Sequence, residues 1–313
     1  MIQYLIIQLD DTSTSFCYYE NSGKARRLMA LDDLKAGILF AMKENLSIQF
    51  LYPDYELPDE YKKTIETIDH SKIVPVGCRE EADVIVFNDW STLSGYPFVA
   101  GQTYVLRTSK KDLFDKYLSL GYILPTIYRL NIVLTDIADF TDVDFTIYRQ
   151  VLQDVSKMVT VCYAQGRNPQ LNLLTDRMMS DQMNNCNAGW ENITLAPDGR
   201  FYVCPAFYLE DEETAIGDLK KGLDIKNAQL YRLDHAPLCR ICDAYQCKRC
   251  VYLNRKTTLE VNTPSHEQCV VSHLERNAAR SLLAVIRQSG NTCVNTAEIK
   301  EITYLDPFDI RKK

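Results

Sequence analysis

Short apolar runs alternate with helical periodicity through the first half of the chain. Ile2 to Leu9 is apolar and stopped by Asp10-Asp11, which predicts a buried strand. A loop rich in Thr and Ser follows to Gly23. Leu28 to Asn45 then places Leu31, Leu34, Ile38 and Met42 on one helical face. Asp32 and Asp33 fall in its first turn, where the helix dipole favours acids. Ser47 to Tyr52 predicts a second strand, ended by Pro53, and a helix is expected near Asp59–Ile68. Ala82 to Phe87 and Thr103 to Arg107 read as strands. Lys110 to Leu120 reads as a helix with Gly121 at its C′ position. Leu130 to Thr135 is a further strand, and Asp144 to Gln165 a long helix closing at Gly166. Strands alternating with helices predict a parallel α/β layer.

The pattern changes after a soft boundary within Gly166–Asn185. Glu191 to Ala196 and Arg200 to Cys204 flank Pro197-Asp198-Gly199, where Pro presets φ and Gly accepts φ > 0, so a β-hairpin is expected. Glu210 to Glu213 is an acidic run that reads as a solvated loop. Ser272 to Gln288 predicts a helix with Leu274, Leu282 and Ile286 inward; signals after Ser289 are weak.

Composition narrows the class. With 313 residues the chain can hold two domains, and 46% hydrophobic with 25% charged residues is ordinary for a soluble globular protein. A net charge of −7 offers no bulk attraction to nucleic acid or an anionic membrane. The apolar start has no basic flank and ends too early for a signal peptide, and no apolar run approaches the ~20 residues of a membrane span. A cytoplasmic location is expected, where thiols stay reduced and are free for metal rather than disulfides.

That bears on the cysteines. Seven of the 11 lie between Cys186 and Cys269, four of them as Cys239-x2-Cys242-x4-Cys247-x2-Cys250. Thiolates this close need a cation between them. A zinc ribbon separates its two CxxC knuckles by roughly 15–20 residues. The gap here is four. That spacing favours thiolates shared between neighbouring iron–sulfur clusters, with zinc as the alternative. The loop is also basic, with Arg240, Lys248, Arg249, Arg255 and Lys256 against Asp243; these are cluster-balancing cations or ordinary surface charge.

The pattern Cys186-x12-Gly199-x4-Cys204, then Cys239-x2-Cys242-x4-Cys247-x2-Cys250, then Cys269 resembles the SPASM domain of peptide-modifying radical-SAM enzymes, with one residue fewer in each of two inner gaps. The resemblance implies two [4Fe-4S] clusters. Cys239, Cys242, Cys247 and Cys269 would hold one. Cys186, Cys204 and Cys250 would hold the other, its fourth ligand outside the motif. An iron left open there would be available to a peptide thiolate.

A radical-SAM-like barrel is then expected in front, but its chemistry is missing. The family's first loop carries CxxxCxxC with an aromatic before the last cysteine. Phe16-Cys17 fits that last position, while the other two fall on Asp10 and Thr14. Where the family places Gly-Gly-Glu after the second strand, this chain has Leu51-Tyr52-Pro53-Asp54. No S-adenosylmethionine is expected. The expected architecture is a degenerate, partial radical-SAM-like (β/α) barrel over residues 1–183, a small SPASM-like hairpin-and-helix domain over 184–275, and a C-terminal helix and tail over 276–313.

The opening Leu9-Asp10-Asp11-Thr12-Ser13 with Phe16-Cys17, and the segment Cys186-Asn187-Ala188-Gly189-Trp190, resemble the CXXX-repeat peptide maturase family. That resemblance implies a radical-SAM partner enzyme and a cysteine-rich precursor peptide with Cys-x-x-x repeats. The expected role is an iron–sulfur accessory protein that presents the peptide or passes electrons without cleaving S-adenosylmethionine. Two other readings stand beside it: a stand-alone peptide-modifying enzyme acting at an open iron or at Cys17, and a zinc- or iron-stapled docking module. The sequence leaves dimerisation open.

Four histidines are present. They are His70, His235, His266 and His273; His266 and His235 precede Cys269 and Cys239 closely enough to be ligands or proton relays, though surface or hydrogen-bonding roles are the ordinary reading. Cys17, Cys78, Cys162 and Cys293 are dispersed, and a buried Cys is a small hydrophobe by default.

Overall fold

The computed structural model describes residues 2–21, 24–179, 185–210, 214–245, 247 and 249–288. Gly23, positions 180–184 of the expected boundary, positions 211–213 of the acidic run, Lys248, Cys293 and the tail from Ser289 lie outside the described residues.

The apolar opening forms β1 (Tyr4–Gln8), which sits inside an eleven-stranded sheet between β2 (Ser47–Leu51) and β8 (Asn192–Leu195), parallel to both. Beyond β2 the sheet continues in parallel through β3 (His70–Pro75), β4 (Val84–Phe87), β5 (Thr103–Thr108), β6 (Arg129–Leu134) and β7 (Gln170–Leu171). Beyond β8 it turns antiparallel through β9 (Arg200–Tyr202), β10 (Gly217–Asp218) and β11 (Gly222–Leu223). Strands with parallel neighbours on both sides are covered on both faces and run apolar rather than alternating. Leu5, Ile6 and Ile7 of β1 and Tyr104, Val105 and Leu106 of β5 are accordingly all buried.

Helices join the parallel strands. α1 (Leu31–Glu44) lies so close to the sheet that a Cβ on Gly37 would stand 2.3 Å from Leu195 Cδ2. Its inward face is Leu34, Ile38 and Ala41. Met42, expected on that face, is 60% exposed, because seven residues from Leu34 complete two turns and the eighth falls at the edge. α2 (Asp59–Ile65) follows β2. α3 (Lys110–Lys116), capped by Ser109, stops sooner than expected, and the chain turns on through α4 (Leu120–Ile123). Gly121 therefore lies inside a helix with no left-handed backbone and is not a C′ glycine; buried Leu120, Ile123 and Leu124 hold the chain helical there.

α5 (Asp142–Ala164) opens with a capping box between Thr141 and Asp144 and closes before Gly166, which has φ +73°. Then come α6 (Thr175–Met179), α7 (Pro205–Glu210), α8 (Val251–Thr258) and α9 (His266–Gln288). α9 starts earlier than its apolar pattern predicts because Ser265 Oγ accepts from the Gln268 N–H at 3.3 Å, an N-cap. Leu274, Leu282 and Ile286 are buried as expected. A wholly buried Arg177–Glu275 pair (2.5 Å) joins α6 to α9, and Tyr148 of α5 donates to Glu275 at 2.6 Å. The hairpin turn Pro197-Asp198-Gly199 sits between β8 and β9, with Gly199 at φ +76°. Among the described residues no helix is long and apolar enough to cross a membrane.

Candidate metal centre

The cysteines gather in two sets. Cys17 comes from the loop after β1, Cys186 from the turn before β8, Cys204 from the entry to α7 and Cys250 from the N-cap of α8. All four line one cavity of about 390 Å³, walled by Phe16, Tyr18, Tyr19 and Tyr252. The turn carrying Cys186 is fixed by Gly189 at φ +81°, where a Cβ would stand 2.7 Å from the Tyr231 ring. Burial, reinforced by the Cys17 thiol, pushes the Cys186 thiol up to about 11, although the residue as a whole is exposed at the surface. Burial and neighbouring Cys186 push Cys204 up further, and Cys250 is held well above the thiol range by a hydrogen bond with Cys17 and by burial. Cys186, Cys204 and Cys250 thus resist ionising unless a cation arrives to compensate.

Cys239, Cys242 and Cys247 come from one loop, and the last two meet α9. Cys242 Sγ lies 3.4 Å from His273 Nε2 and receives the Ala244 N–H at 3.3 Å. Cys247 Sγ lies 3.2 Å from Ser272 Oγ. Cys269 sits on α9 one turn before Ser272 and His273 and so shares their side of the helix. Cys239 is pushed up to about 12 by burial and by Cys247. Next to Cys242, buried Asp243 pairs with Arg276 and, at 3.4 Å, with Arg280. Ligand atoms of Cys242, Asp243 and His273 lie within 4.8 Å of one another, close enough for one ion. Among the described residues no three sulfurs of the first set come that close. Four thiolates around one zinc, at Zn–S of about 2.3 Å, would stand only about 3.8 Å apart.

Arg249 connects the two sets. It is 2% exposed, and all three guanidinium nitrogens are buried without a hydrogen-bond partner. Its charge acts on Cys186 of the first set and Cys239 of the second. A buried, unpaired cation costs several kcal/mol, roughly, unless an anion stands beside it. Tyr18 likewise has a buried hydroxyl without a partner, near enough to Cys17, Cys250, Glu275 and Cys247 for all four to act on it. Iron–sulfur clusters ligated by thiolates are anionic acceptors of the kind these two side chains require, so the residues fit that group. Of the other basic residues, Arg240, Arg255 and Lys256 are exposed. His273 meets a cysteine, His235 is exposed beside Asp234, and His266 packs on Phe145. Cys162 is buried in α5, and Cys78 is half-buried.

The loop after β1 carries no second thiol. Asp10, at the first motif position, is fully buried, and its carboxylate accepts from the Thr12 N–H (2.8 Å), Thr12 Oγ1 (2.6 Å) and Tyr55 Oη (2.8 Å). Thr14 N–H donates to the Tyr52 carbonyl at 2.9 Å, within the segment replacing Gly-Gly-Glu. Arg107, a buried cation at the end of β5 that the sequence reading missed, donates to the carbonyls of Cys17 (2.9 Å) and Tyr19 (2.8 Å) and pairs with Glu20. A charged residue closing an apolar parallel strand was the signal available for it.

No family model and no curated protein matches the sequence. Solved structures do match. Native anSMEcpe with bound AdoMet aligns with a TM-score of 0.59 at 10% identity, covering 92% of this chain and 100% of its own. The hexahistidine-tagged form with bound AdoMet gives 0.60 at 9% identity, covering 94% and 97%. The chain shares the fold of these AdoMet-bound structures, the radical-SAM-like α/β fold expected from the sequence.

Proposed function

We propose that this chain is an iron–sulfur protein of a radical-SAM peptide-modifying system that does not itself cleave S-adenosylmethionine. One observation carries the reading: the loop after β1 offers a single thiol, Cys17, and that thiol lines a cavity with Cys186, Cys204 and Cys250 instead of standing in a cysteine motif of its own. Asp10 and Thr14 occupy the remaining motif positions, and the Asp10 carboxylate already accepts three hydrogen bonds. Cys186, Cys204 and Cys250 would hold one [4Fe-4S] cluster, and Cys239, Cys242, Cys247 and Cys269 the other. Bound clusters supply one-electron transfer. The chain's own residues balance charge through Arg249, wall the first set with the aromatic side chains of the cavity, and orient Cys242 and Cys247 through His273 and Ser272.

The partner in this reading is a radical-SAM enzyme, and the substrate a ribosomal peptide with Cys-x-x-x repeats. Reconstitution of the partner with such a peptide, with and without this chain, tests it. Product should form only when both proteins are present. Equal product without this chain, or turnover by this chain and reductant alone, would contradict it; the latter would make it a stand-alone enzyme.

A second reading has its own support. The close Cys242/Asp243/His273 group suits a single zinc, which would make the second set a structural staple. Zinc in that set with iron in the first would separate the two roles.

A further inference from the structure

We propose that Cys17 is the fourth protein ligand of the site formed by Cys186, Cys204 and Cys250. The barrel's first loop thereby closes a SPASM-type site instead of opening one of its own. The inference rests on the iron–sulfur reading above and deepens it. A three-thiolate site leaves one iron exchangeable, which would invite a peptide thiolate. A four-thiolate site does not.

Four observations converge on it. The Cys17 and Cys250 thiols share a hydrogen bond, and Cys17 also acts electrostatically on Cys186 and Cys204. The four cysteines line one cavity of about 390 Å³. The loop holding Cys17 is anchored from several directions: Arg107 donates to the Cys17 carbonyl, Ser15 Oγ to the Tyr19 carbonyl at 2.5 Å, and Ser13 Oγ to the Leu51 carbonyl at 2.8 Å. The backbone that carries the thiol is therefore anchored on both sides of Cys17. Finally, Arg249, with its buried and unpartnered nitrogens, stands by this set and needs a negative group beside it. Replacing two of the three motif cysteines by Asp10 and Thr14 leaves Cys17 no other cluster to serve.

The test uses the full chain purified without oxygen, with its metal in place. Wild-type protein is treated with iodoacetamide before and after removal of iron by EDTA and ferricyanide, the iron-free protein being reduced again with a phosphine and desalted first, and labelled cysteines are read by mass spectrometry. Cys17 should be shielded in the loaded protein and react once iron is removed. In parallel, Cys17→Ala should drop iron from about eight to about four per chain, or give a [3Fe-4S] signal on oxidation, with the signal of the other cluster kept. Cys78→Ser should change nothing. Labelling of Cys17 in loaded wild type as fast as Cys78, or an unchanged iron content and EPR spectrum in Cys17→Ala, would overturn the proposal while leaving the iron–sulfur reading intact. Wild type free of iron would overturn both. The wild-type labelling experiment decides the matter even if the variant fails to fold.

Discussion

The two cysteine sets are assembled in opposite ways. Cys17, Cys186, Cys204 and Cys250 arrive from four separate segments and meet only because β1 lies beside β8 and the hairpin leads into α7. Cys239, Cys242 and Cys247 come from one short loop, which meets α9 through Cys242 and Cys247. The first set is a product of the whole sheet and keeps a cavity in front of it. The second is local and closely partnered. A site reached by a cavity suits contact with other molecules; a site packed on a helix suits structural support or an internal electron relay.

The sharpest way to break this contrast is through Glu275. It lies fully buried beneath the second set, and it and Arg177 both act on Cys247. Glu275→Ala leaves the Arg177 charge buried and unpaired, which should cost about 3–5 kcal/mol in urea denaturation. Cys242 and Cys247 should become markedly more reactive to iodoacetamide, with Cys186 little changed. Equal exposure of both sets would show that they are one cooperative unit.

Gly189→Ala addresses the first set. The left-handed backbone and the Tyr231 ring both oppose a side chain there, so a loss of about 1–3 kcal/mol is expected. Labelling of Cys186 should rise while that of Cys239 stays low. A neutral substitution would mean that the Cys186 turn is not fixed as described.

The smallest effect is on pH. Burial raises Cys186 from the ordinary 9.0 to about 11 and Cys239 to about 12. A raised thiol pKa means that the metal-free folded state binds more protons than the unfolded chain above pH 9 or so. The resulting stability is complete below that pH and is lost as pH rises through about 11 to 12. The urea midpoint of metal-free protein should therefore fall from pH 9 to 11. Loaded protein, whose thiols are already deprotonated, should fall less.

Much of the sheet was legible because its central strands are uninterrupted apolar runs. β3 was not, since His70, Ser71 and Lys72 make its first half polar; Lys72 is accommodated by Glu66 and Glu80. β7, β10 and β11 have two residues each, too few for a period. The seven spaced cysteines stood out because metal spacing is local. The position of Cys17 did not, because it depends on strands far apart in sequence coming side by side. Arg249 was visible only as one cation in a basic loop, and its burial is a tertiary fact. His273 was overlooked in favour of nearer histidines, although four residues after Cys269 on a helix is one turn and the same face.

Metal and acid-labile sulfide content with EPR, on full-length protein purified without oxygen, tests the central claim most directly. Two cluster sites require about eight irons with matching sulfide and the signal of a reduced [4Fe-4S]⁺ state, unaltered by S-adenosylmethionine. One or two zincs without sulfide would contradict the claim, and would leave the cysteine region a staple and the cavity a docking site alone.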